Sequence, residues 1–94
     1  MTNTEIIMKN AILKGLYTQE EAENMLLTIG GLPLYTFAVW KKMGYAVKKG
    51  EHAALTTYLW KYTTKENKET GKDETKMFLA KAFLFKPDQV QKIR

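Results

Sequence analysis

The chain has 94 residues, of which 45% are hydrophobic and 27% charged, and this composition is typical of one small globular domain. It contains no cysteine, so disulfides and thiolate chemistry are excluded, and no apolar run approaches the ~20 residues that span a membrane. The net charge of +5 is concentrated in residues 41–65, which contain six lysines and one glutamate. This charge indicates either a surface for a polyanion or a solvated, lysine-rich face.

Three helices are predicted in the first half of the chain. Residues 4–16 form the first, which Thr2 or Thr4 caps and Gly15 ends. Thr18 and Glu21 form a capping box that opens the second. Its apolar residues recur on one side of the helix, namely Ala22, Met25, Leu26 and Ile29.

The glycine pair at 30–31 breaks the chain before a third helix over residues 35–43. Trp40 lies on the apolar side of that helix and is expected in the core. Gly44 ends the helix, and residues 45–47 form a short strand.

Two long strands are predicted over residues 53–63 and 76–86, joined by a charged hairpin loop without apolar residues. Pro87 and Asp88 suit the first turn of a short C-terminal helix. The fold class is therefore α+β, with N-terminal helices packed on a small antiparallel β-meander that contains a long hairpin. We expect one domain over residues 1–94, in which residues 1–30 form a helical hairpin extension.

Catalytic patterns are missing from the sequence, so we expect a protein that is not an enzyme and that needs no cofactor. The chain lacks serine, HExxH, GxGxxG and P-loop motifs, and His52 is its only histidine. The N-terminal segment also lacks the basic and apolar regions of a secretion signal, which favours a cytoplasmic location.

Lysines and aromatic residues alternate in the basic half of the chain, in the pattern of a single-stranded nucleic-acid surface. Fourteen lysines against one arginine favour phosphate attraction over base-specific contacts. The candidate nucleic-acid-binding residues are Lys41, Lys42, Tyr45, Lys48, Lys49, Tyr58, Trp60, Lys61, Tyr62, Lys76 and Lys81.

The register of the long hairpin decides whether the aromatic face of its first strand is exposed, because directly opposed residues share a face. If Trp60 faces Phe78, Tyr62 meets Lys76 in water and an aliphatic face forms the core. If Trp60 faces Leu79, the aromatic face gains Met77, Leu79 and Phe83 and itself resembles a core. We expect the first register. Under the second, the aromatic face would pack inward and binding would shift to the lysines of the turn.

Several of these residues together resemble the N-terminal domain of ArdC antirestriction proteins. Trp40 and Gly44 precede the turn VKKGEHA, a strand follows that ends in Trp60-Lys61, and residues 83–85 (FLF) and 89–90 (QV) close the pattern. The resemblance covers residues 34–90. The chain lacks the HExxH of the metallopeptidase-like domain of full-length ArdC-type proteins, and Lys48 stands where the family usually has arginine.

The resemblance implies non-sequence-specific binding of single-stranded DNA by a protein of a phage or mobile element, in antirestriction. RNA is a further candidate ligand. Two alternatives remain open at this stage: an inhibitor whose basic face docks on an acidic host defence protein, and a winged-helix binder of duplex DNA.

Overall fold

Two capping boxes begin the N-terminal helices in this computed structural model, which describes residues 1–66 and 68–93. Asn67, in the predicted hairpin loop, and Arg94 lie outside the described residues. Helix α1 (Asn3–Lys14) begins at Thr2, and helix α2 (Gln19–Ile29) begins at Thr18. In each box the threonine hydroxyl accepts a hydrogen bond from the backbone N–H of the glutamate three residues later, and the carboxylate of that glutamate accepts one from the backbone N–H of the threonine. Both predicted helices are thereby confirmed.

The strands form two antiparallel sheets rather than one. Strand β1 (Tyr35–Thr36) leads into helix α3 (Phe37–Lys42), and strand β2 (Tyr45–Val47) follows. The long hairpin consists of β3 (Leu55–Glu66) and β4 (Asp73–Phe85). The first sheet has the order β1-β4-β3, and the second pairs β2 with β5 (Val90–Lys92). The α+β class is confirmed.

Three segments differ from the sequence-based prediction. Tyr35–Thr36, predicted as the start of the third helix, is strand β1 because it pairs with the end of β4. The hairpin strands continue into the charged segment predicted as a loop, because Thr64 pairs with Thr75 and Glu66 with Asp73. The predicted C-terminal helix is a single 3₁₀ turn, Pro87–Gln89, after which β5 pairs with β2. Pro87 and Asp88 thus begin a helical turn as expected. The chain does not continue as a helix, because residues 90–92 pair with the distant strand β2 instead.

The hairpin register is the second of the two alternatives, because Trp60 lies opposite Leu79. The expected pairing of Trp60 with Phe78 is wrong. The even-numbered residues of β4 instead share a face with Leu55 and Leu59. Leu55, Leu59, Ala82 and Leu84 are buried on this inner face, in one cluster with Ala11 of α1 and Ala22 of α2.

The expectation tied to this register, that the aromatic face packs inward, is also wrong. Helices α1 and α2 pack on the inner face, so the face that carries Tyr58, Trp60 and Tyr62 points away from them. A sheet of this size needs only one buried face, and the small and aliphatic side chains of the inner face fit closely under two helices.

Helix α3 packs on the opposite side of the sheet from α1 and α2, at its β1 end. Tyr35 pairs with Phe85 and therefore shares its face, and Trp40 contacts the Tyr35 ring edge-to-face at a centroid distance of 5.1 Å. The buried Trp40 indole N–H donates to the carbonyl of Phe85 at 3.0 Å. The prediction that Trp40 lies in the core is confirmed.

Candidate nucleic-acid interface

The hairpin presents a continuous face of aromatic and apolar side chains that no helix covers along most of its length. We call it the outer face. Its cross-strand pairs are Tyr58 with Lys81, Trp60 with Leu79, and Tyr62 with Met77. Alternation along a strand puts residues at i and i+2 on one side, which brings these six side chains together. The outer face also includes Phe83, which lies opposite Thr56.

The aromatic side chains of the outer face are accessible. Tyr58 is 57% exposed and Tyr62 is 68% exposed, whereas Trp60 between them is half-buried. Met77, Leu79 and Phe83 are exposed as well. A continuous apolar patch of this kind, in water, is typical of a binding surface.

Lys81 is the candidate lysine that lies on the outer face itself. Its ammonium nitrogen is 5.7 Å from the centroid of the Phe83 ring, within the range of a cation–π contact. Its cross-strand partner is Tyr58, so a positive charge stands directly beside an exposed aromatic ring. A phosphate beside a stacked base requires this combination of groups.

Lys61 and Lys76 belong to the inner-face side of the hairpin, since they pair with Phe78 and Thr63. Both are exposed because α1 and α2 cover only the part of the hairpin nearest β1. Lys61 nevertheless lines a groove of about 370 Å³ together with Lys81 and Phe83. The groove runs from the hairpin to Phe37 at the start of α3 and brings two of the predicted lysines to one place.

The remaining candidate residues form a second group around α3 and the following turn. Lys41 and Lys42 are exposed in the last turn of α3, and Tyr45 packs edge-to-face on Trp40 at 5.6 Å. Lys49 is exposed in the turn after β2, and the ammonium of Lys48 donates to the backbone carbonyl of Asp88 at 3.1 Å.

The turn that contains Lys48 and Lys49 is held against the 3₁₀ turn. The backbone N–H of Lys48 donates to the carbonyl of Gln89 at 2.9 Å, and the Gln89 amide donates to the carbonyl of His52 at 2.6 Å. The same amide also reaches the carboxylate of Glu51 at 3.2 Å. The KKGEH segment is therefore held against the 3₁₀ turn through Lys48, Glu51 and His52.

Sequence reasoning missed four residues of this candidate interface, namely Phe37, Met77, Leu79 and Phe83. In the expected register the aliphatic face forms the core, and in the alternative one Met77, Leu79 and Phe83 join an aromatic face that itself resembles a core. The better signal was the other face, which alternates small and aliphatic residues in β4, with Ala80, Ala82 and Leu84 in sequence. Small residues allow helices to approach a sheet closely, whereas Tyr and Trp tolerate contact with water.

The part of the chain that the structure describes has neither a metal-binding cluster nor a membrane-spanning helix. Residues 1–66 and 68–93 contain no group of three or more His, Asp or Glu side chains arranged to hold a metal ion. None of the helices described there combines the length and the apolar character that crossing a bilayer requires.

Comparison with known proteins identifies the family. The sequence model described as the N-terminal domain of anti-restriction factor ArdC matches residues 33–89, which include α3, strands β1 to β4 and the lysine turn. No curated protein and no solved structure matches the chain.

Proposed function

The chain belongs to the family of the N-terminal domain of anti-restriction factor ArdC, and from this premise we propose that its outer face binds single-stranded DNA without sequence preference. The observation that carries the proposal is the row of exposed Tyr58, half-buried Trp60 and exposed Tyr62 on one face, with Lys81 beside it. Aromatic faces stack on any base and lysines attract any phosphate, so neither interaction selects a sequence.

The spacing of the aromatic row favours a single strand over a duplex. Side chains at i and i+2 are ~6.8 Å apart along a strand that rises ~3.4 Å per residue. Bases in a duplex follow each other at about 3.4 Å, half of this distance. Bases that stack on successive rings of the outer face must therefore be spread apart, which an unpaired strand permits and a paired one resists.

The other lysines extend the positive surface beyond the row. Lys61 and Lys81 line the groove that leads to Phe37, and Lys41 lies one helical turn beyond Phe37 in α3. We propose that the phosphates follow this line, and that Lys48 and Lys49 attract the strand where it leaves the hairpin. Helix α3 has six residues, fewer than two turns, so it offers little length for reading a duplex major groove.

The test is a titration of the protein with labelled oligo-dT, in parallel with an abasic oligomer of the same length. Both ligands carry the same phosphates, so the difference between their affinities reports the stacking contribution of the bases. We expect oligo-dT to bind at least about 5-fold more tightly, since stacking contributes ~1–3 kcal/mol per base.

Duplex DNA and single-stranded RNA of the same length complete the series. The proposal predicts weaker binding of the duplex than of oligo-dT. Equal affinities for oligo-dT and the abasic oligomer would show that the bases do not stack on the protein and that only charge attraction contributes to binding. If the protein bound none of these nucleic acids, the proposal would be wrong, and an acidic protein would become the better candidate partner for the basic surface.

A further inference from the structure

A second groove lies at the opposite edge of the outer face, and the residues of one of its walls lie outside the segment that the family model matches. Residues 1–3 form one wall of it, and Trp60, Tyr62 and Met77 form the floor. Its volume is about 440 Å³, in the range of pockets that hold small organic groups. The floor consists of the same aromatic side chains that the proposed function assigns to base stacking.

Asn3 fixes this wall to the hairpin with two hydrogen bonds. Its side-chain oxygen accepts the backbone N–H of Trp60 at 2.8 Å, and its side-chain nitrogen donates to the carbonyl of Trp60 at 3.1 Å. The amide thus pairs with the free edge of β3 as a neighbouring strand would. It holds the first turn of α1 beside the half-buried Trp60 indole.

We infer that this groove is a subsite for one nucleobase of the bound single strand, built by residues 1–3 and positioned by Asn3. The inference rests on the proposed function, because it takes the ligand to be the same single-stranded DNA. The groove is continuous with the outer face through Trp60 and Tyr62, so a strand that stacks on Tyr58 reaches it without leaving the protein surface.

The polar side chains of Thr2 and Asn3 in the wall are already engaged, which makes this part of the subsite tolerant of base identity. The Thr2 hydroxyl accepts the backbone N–H of Glu5 at 3.2 Å and donates to its carboxylate at 3.1 Å. The Asn3 amide is paired with Trp60. A base entering the groove therefore meets ring faces and the Met77 thioether, which contact purines and pyrimidines alike.

Photo-crosslinking locates the base directly. An oligo-dT that carries 5-iodouracil is bound to the full chain and irradiated, and the modified residues are identified by mass spectrometry. The subsite predicts adducts on Met77 or on residues 1–3, in addition to those on Trp60 and Tyr62 that stacking on the outer face alone would give. Adducts on the outer-face rings with none on Met77 or residues 1–3 would overturn the inference and leave the proposed function intact, whereas failure of oligo-dT to bind would overturn both.

The Asn3→Ala variant tests the positioning role, and Asn10→Ala is its matched control on the same helix. The Asn10 side chain bonds only within α1 among the described residues, donating to the carbonyl of Ile6 at 2.8 Å. We expect Asn3→Ala to lose the groove adducts and to bind oligo-dT about 3- to 10-fold more weakly, as part of one base's stacking is lost. Asn10→Ala should keep both properties, and equal effects of the two variants would contradict the inference.

A substitution in the floor of the groove provides a second test, which remains valid if Asn3→Ala fails to fold. Met77 is exposed, so Met77→Ala leaves the core untouched. It should reduce the crosslink yield at Trp60 and Tyr62, while Phe78→Ala on the other side of the same strand should not. Unchanged adducts in Met77→Ala would overturn the inference.

Discussion

Replacing Tyr58 by alanine tests which face of the hairpin binds DNA. Tyr58 is 57% exposed, and its cross-strand partner is Lys81. Loss of such a pair costs ~0.2–1 kcal/mol of folding free energy, so the variant should remain folded. Loss of one stacked base costs ~1–3 kcal/mol of binding free energy, which is about a 5- to 150-fold increase in Kd.

Phe78→Ala is the matched control, because Phe78 is 44% exposed in the same hairpin but belongs to the inner-face side, opposite Lys61. Fluorescence anisotropy with labelled oligo-dT at low salt measures Kd for both variants, and thermal unfolding checks that each is folded. We expect Phe78→Ala to bind within about 2-fold of the parent protein, since it removes no stacking platform. A larger loss for Phe78→Ala than for Tyr58→Ala would refute the assignment of the outer face.

Three other changes give separate tests of the structure. Lys81→Ala should make the slope of log K against log salt shallower by about 0.7, the contribution of one phosphate on a single strand; an unchanged slope in salt titrations would remove Lys81 from the phosphate path. Trp40→Phe should lower the free energy of unfolding by ~1–3 kcal/mol in urea titrations, because the carbonyl of Phe85 loses its buried donor; an unchanged midpoint would contradict this. Hydrogen bonds from the backbone and the hydroxyl of Thr18 lower the pKa of Glu21 from its ordinary value of 4.5. The ionised Glu21 therefore stabilises the folded protein above pH 4.5, and this contribution is lost as the pH falls below that value. Glu21→Gln should therefore show a smaller fall in melting temperature between neutral and acid pH, and an identical fall would exclude this carboxylate as a source.

Features set by neighbouring residues were predicted correctly from the sequence. The cap of α1 at Thr2, the capping box of α2 and the end of α1 at Gly15 depend on bonds within a few residues. Gly15 adopts φ +80°, which glycine accepts without strain. The short strand at 45–47 was also expected. Its partner was not, because residues 90–92 are more than forty positions away and their pattern is too short to distinguish strand from helix.

Which face of the hairpin stays exposed could not be derived from its sequence, because both faces contain enough apolar residues to form a core. The choice depends on where α1 and α2 pack, and this is a tertiary property. The long charged connection left the strand parity undetermined, so Trp60 opposite Leu79 could not be distinguished from Trp60 opposite Phe78. The candidate tyrosines and Lys81 were chosen for their chemistry, whereas Met77, Leu79 and Phe83 join them only through the observed register.

The dependence of oligo-dT binding on salt concentration tests the central claim most directly. If five lysines neutralise five phosphates, log K falls against log salt with a slope of about −3.5. We predict this slope together with quenching of tryptophan fluorescence, because stacking on Trp60 accompanies phosphate contact. Binding that is absent, or that does not change with salt concentration, would contradict the account.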